Sequence, residues 1–214
     1  MIISKPDGTK WVLNAGPAKL ELRATLPGAR VFDLVAESLR RARAAGMSAL
    51  DRLPLALPAS WCVNSPAPST VLRRWALPPQ REVWISLVEA LEETPQGPLD
   101  AESKEALLAA LRVLGPEPFG VEAMSKVLAL LVPDAVPLMP AAARTFVLGE
   151  SGPSEASAFV AMIEWFAVAV ADGKGELGLW AASYKEVPLS PAQVLDRLLW
   201  FDSEGHRHFP DGNR

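Results

Sequence analysis

The chain has 214 residues, 50% of them hydrophobic and 21% charged, with a formal net charge of −4, which is enough apolar material for a core of ordinary size and too much for a disordered chain. The one cysteine, Cys62, excludes an internal disulfide and a cysteine-rich zinc cage. The longest apolar stretch, residues 159–171, is about 13 residues long and carries Glu164, short of the roughly 20 that cross a bilayer, so no membrane span is expected.

The opening MIISKPDGTKWVL reads as two short β segments around the turn Pro6-Asp7-Gly8, a hairpin in which glycine supplies a positive φ. It lacks the basic start, apolar centre and small-residue cleavage site of a secretory signal, and a cytoplasmic location is the expectation. From Ala29 to Ala45, Phe32, Val35, Leu39 and Ala42 recur at helical spacing and Gly46 follows as a stop. The stretch from Leu53 to Pro79 holds six prolines, each lacking an amide donor, and predicts irregular chain with a short helical turn at Ser69 to Trp75. Arg81 to Glu93 repeats Val83, Trp84, Leu87, Val88 and Leu91 as an amphipathic helix ended by Thr94-Pro95-Gln96-Gly97-Pro98.

Asp100 then serves as an N-cap for a helix with Leu107, Leu108, Leu111 and Leu114 on one stripe, closed by Gly115-Pro116. Helices follow over Gly120 to Val132, stopped by Pro133, and from Pro140 to Leu148, stopped by Gly149. The most apolar helix starts after Gly152-Pro153 and runs to about Ala171, before Asp172-Gly173. Ser190-Pro191-Ala192-Gln193 has the pattern of a capping box and opens a last helix ending near Trp200. The expected fold is therefore mainly α, a multi-helix globular unit with a short N-terminal β-hairpin. Trp84, Trp165 and Trp200 lie on apolar stripes and read as core anchors rather than base-stacking platforms.

Charge is unevenly spread. Residues 1–81 carry 12 Lys and Arg against five acids, and the rest carries nine against 20, so +7 faces −11. The arrangement allows a basic N-terminal region (1–80) and an acidic helical domain (81–214), or one globule in which the two attract each other. Arg40, Arg41, Arg43, Arg73 and Arg74 are the candidate phosphate or carboxylate contacts, because guanidinium groups offer paired donors to such anions.

Other features point to chemistry less directly. Gly173-Lys174-Gly175-Glu176-Leu177-Gly178 spells the dinucleotide fingerprint, but a helix rather than a strand enters it, so it reads as a turn. His206 and His208 alternate near Asp202 and Asp211 without a third convincing ligand, and read as surface chain rather than a metal site. Cys62 beside Trp61 reads as a small buried hydrophobe. Glu164 interrupts an apolar run and is a candidate buried acid, which would need a cationic partner or a proton. No nucleophile elbow, P-loop, HExxH or paired CxxC occurs, and no metal or cofactor is expected.

Two segments carry a family resemblance. Gly120 to Leu138, with Ser125-Lys126, Leu128, Leu131, Pro133 and Val136-Pro137, resembles the "SK-L-L---P--(I/V)P-" segment of small uncharacterised bacterial proteins with a helical, DNA-glycosylase-like fold. Val194-Leu195-Asp196-Arg197-Leu198-Leu199-Trp200 is similar to the "VLD--LW" of their final helix, so that the likeness covers about residues 118 to 202. It implies a helical glycosylase-like core and nucleic-acid contact. Where such proteins carry an aspartate soon after the second proline, this chain has Met139-Pro140. The L-P-G-(V/I)-G hairpin of active helix-hairpin-helix glycosylases is missing too, and the position about 20 residues beyond Lys126, where their aspartate would fall, is occupied by Arg144-Thr145-Phe146. The resemblance therefore implies a non-catalytic or degenerate member, with Lys126 as a phosphate contact or ion-pair partner. Two alternatives stand beside it: an acidic protein-interaction module, such as an immunity or accessory protein, that engages a basic partner through Glu89, Glu92 and Glu93, and an enzyme built on Glu164 with Lys126 or Arg144.

Overall fold

A computed structural model describes residues 1–60, 77–93, 99–114, 120–149 and 155–204. Cys62, Arg73, Arg74, the helical turn expected at 69–75, and His206 and His208 lie outside them. The chain opens with an antiparallel hairpin, β1 (Ile2–Ser4) and β2 (Lys10–Val12), in which Ile2 pairs with Val12, Ile3 with Trp11 and Ser4 with Lys10. Gly8 has φ +83°, and the Asp7 carboxylate accepts hydrogen bonds from the Thr9 hydroxyl and amide, which hold it below the usual carboxylate range. Alternation turns Ile3 and Trp11 inward and leaves Ile2 and Val12 exposed.

Nine helices follow among the described residues: α1 (Gly16–Ala24), α2 (Pro27–Ala44), α3 (Ala49–Ala59), α4 (Pro78–Glu93), α5 (Ala101–Leu114), α6 (Gly120–Leu131), α7 (Ala141–Leu148), α8 (Glu155–Ser183) and α9 (Pro191–Glu204). The mainly helical class with its hairpin is thus observed. The cap residues behave as their chemistry dictates. Asp100 accepts from the Ser103 amide, Gly149 ends α7 at φ +81°, and at α9 the Ser190 amide donates to Gln193 while the Gln193 amide donates back to the Ser190 hydroxyl. The last helix continues to Glu204, beyond Trp200.

Three expectations need correction. Residues 53–59 are not irregular, since they belong to α3 with Pro54 and Pro58 inside it. Its buried residues Ala49, Arg52, Leu53, Ala56 and Leu57 form one helical stripe, whereas both prolines face solvent one turn apart, where water can satisfy the carbonyls they leave unpaired. Pro78 and Pro79 likewise begin α4. Secondly, the segment 173–178 is not a turn, because α8 runs straight through it. A Cβ atom at Gly173 would lie 2.5 Å from the Met1 sulfur, so the glycine admits the N-terminal residue against the helix, whose next turns bury Leu177. Thirdly, the apolar helix is therefore longer than the run of about 13 residues. Its window within 156–183 has the length and mean hydropathy, 1.5, of a membrane-crossing helix, while 56% of it is buried within the protein, as in a core helix.

Helix α1 is not among the helices that the apolar spacing predicts. Its buried positions, Gly16, Lys19, Leu20 and Arg23, have helical spacing, but two of the four are cations, so a search for apolar periodicity passes over it. One cluster of buried apolar residues extends from Ile3 to Leu199 and includes side chains from both sides of residue 80. Helix α9 lies at its centre, packed on α8, α1 and α7, and is buried on nearly every side. Helices α2, α3 and α6 form a second packed group, and α4 and α5 pair with each other while resting on α3 and α8 respectively. Trp84, Trp165 and Trp200 are buried, as their stripes require.

Candidate functional site

Helix α2 spaces Glu37, Arg40 and Arg41 within one turn. Arg40 donates to both oxygens of Glu37, from Nε at 2.7 Å and Nη2 at 2.9 Å, and Arg41 donates to Glu37 from Nε at 2.6 Å. Burial pushes the Glu37 carboxyl up, and the hydrogen bonds from Arg40 and Arg41 outweigh it and hold the group below its usual range. The Arg40 guanidinium is raised in turn, chiefly by its bond to Glu37 against the opposing effect of burial, with the charge of Asp134 adding to it. Arg43, near the end of α2, reaches across to α4, with Nε 3.1 Å from the Glu92 carboxylate and Nη2 donating to the Glu92 carbonyl at 3.3 Å.

Glu92 also accepts from Arg52 of α3 at 2.7 Å. Arg52 is fully buried and donates as well to the carbonyls of Leu131, Met47 and Ser48, so one side chain ties α3 to α4 and to the end of α6. Glu92 is thereby a structural acid, while its neighbours Glu89 and Glu93 are exposed.

Between α2, α4, α6 and α8 lies a cavity of about 180 Å³. Leu131, Val132, Ile163 and Val170 form apolar wall, and Arg40, Arg43, Glu92 and Asp134 supply the polar lining. Arg40 and Arg43 are 41% and 43% exposed, so the charged groups rim the opening and the buried side chains make the floor. Asp134 accepts a hydrogen bond from Ser190.

Among the described residues, the structure therefore brings Arg40, Arg43 and Glu92 to one cavity and leaves Arg41, Lys126, Glu164 and Arg144 out of its lining. Arg41 points outward from α2, 67% exposed, and pairs with Glu37. Lys126 is buried on α6 and pairs at 2.9 Å with Glu122, one turn back on its own helix. Glu164 is not a buried acid: its side chain is 29% exposed and pairs at 2.7 Å with Lys104 of α5. Arg144 donates to the Met139 carbonyl at 2.7 Å, at the start of its own helix.

A second concavity, of about 590 Å³, lies along the groove between the paired helices α4 and α5. Val83 and Leu87 on one side face Ala106, Ala110 and Val113 on the other, and Glu82 and Glu102 stand among the lining residues. Apolar side chains on α4 and α5 thus flank a trough whose charged lining residues are both acids.

Four ionisable groups, each about 2% exposed, form a buried cluster to which none of the candidate residues belongs. Asp33 of α2 accepts from Arg23 of α1 at 2.7 Å and from Arg197 of α9 at 2.5 Å. Arg197 also pairs with Asp196 at 2.9 Å, and Asp196 accepts from the Leu138 amide at 2.7 Å. Burial pushes the Asp196 carboxyl up against the opposing pull of Arg197 and the Leu138 amide. Two cations and two anions cancel in this group, whose role is to hold α1, α2 and α9 together. The available signal was the adjacent Asp196-Arg197 inside the run Val194 to Phe201, whose other members are all apolar, because a charge there must find an internal partner. Beside it, Trp11 and Lys19 both donate to Asp202, at 2.8 and 2.5 Å, anchoring the hairpin and α1 to α9.

Among the described residues no group of three or more His, Cys, Asp or Glu side chains is placed to hold a metal ion. Comparison with protein-family models, curated proteins and solved structures finds no match to the chain.

Proposed function

We propose that this chain is a protein-interaction module that takes a basic amphipathic helix into the trough between α4 and α5. The observation that carries this reading is the combination in one place of apolar rows at helical spacing, Val83 with Leu87 and Ala106 with Ala110 and Val113, and an acidic border. Two helices side by side offer a third the ridges and grooves it packs into, and residues at three- and four-residue intervals are what such a trough accommodates. Glu82 and Glu102 are exposed where they line the trough, and Glu89, Glu93 and Glu105 are exposed elsewhere on α4 and α5, while Glu92 is taken up by Arg43 and Arg52. Lysine or arginine on the flanks of an incoming helix would meet Glu82 and Glu102, which favours fast and selective encounter.

A nucleic-acid backbone fits less well. Of the arginines expected to hold it, Arg40, Arg41 and Arg43 are paired to Glu37 and Glu92, so a phosphate would compete with carboxylates already in place. A DNA-glycosylase-like helical scaffold, as the α6 and α9 segments suggest, serves this function as a binding frame without base excision, since Lys126 is buried against Glu122. Catalysis by Glu164 has little support from its salt bridge to Lys104.

The test uses fluorescence anisotropy of the full chain with a labelled amphipathic peptide of leucine and lysine, its leucine and glutamate counterpart, and a DNA duplex. The lysine peptide is expected to bind, to weaken about tenfold with E82K/E102K, and to be displaced from the trough by A106W, which fills it without altering charge. Equal binding of the glutamate peptide, indifference to A106W, or binding of DNA alone overturns the reading.

A further inference from the structure

The geometry points to a ligand site in the cavity rimmed by Arg40 and Arg43, for a small monocarboxylic acid with an apolar body of about six carbon atoms. Size sets the body. The cavity holds about 180 Å³, and a dry apolar cavity of roughly 150 Å³ accommodates a benzene ring. Its deep wall, with Leu131, Val132, Ile163 and Val170, offers no hydrogen-bonding side chain, so a polar body would lose its hydration there without replacement.

The rim sets the head group. A guanidinium has five N–H donors. Arg40 commits Nε and Nη2 to Glu37, and Arg43 commits Nη2 to the Glu92 carbonyl with Nε beside the Glu92 carboxylate. Both retain donors on the remaining nitrogen positions among the described residues. Glu37 receives Arg40 and Arg41, Glu92 receives Arg43 and Arg52 on one oxygen, and Asp134 receives the Ser190 hydroxyl. Four guanidinium groups in this network thus face three carboxylates, and a further carboxylate is the planar anion that balances the charge and fits paired guanidinium donors. An ammonium head would add a fifth cation to the same network. The cavity adjoins the trough between α4 and α5 at Leu91 and Leu99, but Arg40, Arg43 and Ala167 line the cavity alone and Glu82, Glu102 and Ala106 the trough alone, so either can fail without the other.

Isothermal titration of the full chain with hexanoate and with benzoate tests the inference, with 1-hexanol and benzylamine as the neutral and cationic counterparts. The acids are expected to bind in the micromolar to millimolar range, and each of R40M and R43M to weaken them about tenfold. A167F, which fills the cavity from α8 while leaving every charge in place, is expected to abolish binding, with an unchanged circular dichroism spectrum showing that the variant is folded. Binding of hexanol as tight as hexanoate, retention of acid binding by A167F, or no heat with either acid at millimolar concentration overturns it. If an arginine variant does not fold, A167F and the comparison of head groups decide the matter without it.

Discussion

A Cβ atom at Gly16 would lie 2.6, 2.7 and 2.8 Å from three atoms of the Trp180 ring, while one at Gly173 would lie 2.5 Å from the sulfur of Met1. The two contacts are similar in length and different in consequence. The rigid Trp180 ring, partly buried against the core, has to swing as a whole to make room, whereas the flexible end of a methionine side chain rotates away. G16A is therefore expected to destabilise the protein by about 1–3 kcal/mol, and G173A to be close to neutral because the gain in helix propensity offsets the small displacement. Urea denaturation of both variants checks the contrast, and equal losses would contradict it. The same difference between type and surroundings governs the arginines. That Arg40, Arg41 and Arg43 are cations on one helix was legible, and so was the local acid Glu37 at helical spacing. The pairing of Arg43 with Glu92 was not, because that acid comes from another helix.

At the scale of elements, helices α4, α5, α6, α7 and α9 were legible because their boundaries are written in nearby residues: caps, glycines and prolines act within one turn. Helix α3 shows where a local rule yields. Pro54 and Pro58 lie on the face opposite Leu53, Ala56 and Leu57, so burial of the apolar stripe holds the helix despite the missing amide donors. Restoring the donor is expected to show what that defect costs. P54A should raise stability by about 2 kcal/mol, the helix-interior penalty of proline less the entropy that proline removes from the unfolded chain. A rise in Tm of the purified variant supports this, and a fall would mean that the proline ring packs favourably. Helix α1 failed to register for the opposite reason. Its buried face contains Lys19 and Arg23, whose burial depends on Asp202 and Asp33 supplied by other elements.

For the molecule as a whole, the division between a basic and an acidic half resolves into particular contacts. Met1 and Glu176, Lys19 and Asp202, Arg30 and Glu186, Arg43 and Glu92, Arg52 and Glu92, and Asp33 and Arg197 all pair a residue before position 81 with one after it. In five of the six the early residue is the cation, as attraction between the two halves requires. The sixth, Asp33 with Arg197, is the buried one that joins three helices. D33A is expected to cost about 3–5 kcal/mol, because Arg23 then keeps a charge in the interior with no carboxylate partner. D33N, whose amide oxygen still accepts a hydrogen bond, should cost less. Equilibrium unfolding of the two variants distinguishes a charge requirement from a packing one.

The helical class, the hairpin and most helix ends were determined by the sequence alone, since periodicity and capping depend on residues a few positions apart. The cavity, the trough, the exposure of Glu164 and the burial of Lys126 were decided only by tertiary structure. Concavity and charge pairing arise where segments distant along the chain meet, and no spacing within a segment encodes which neighbour it will face.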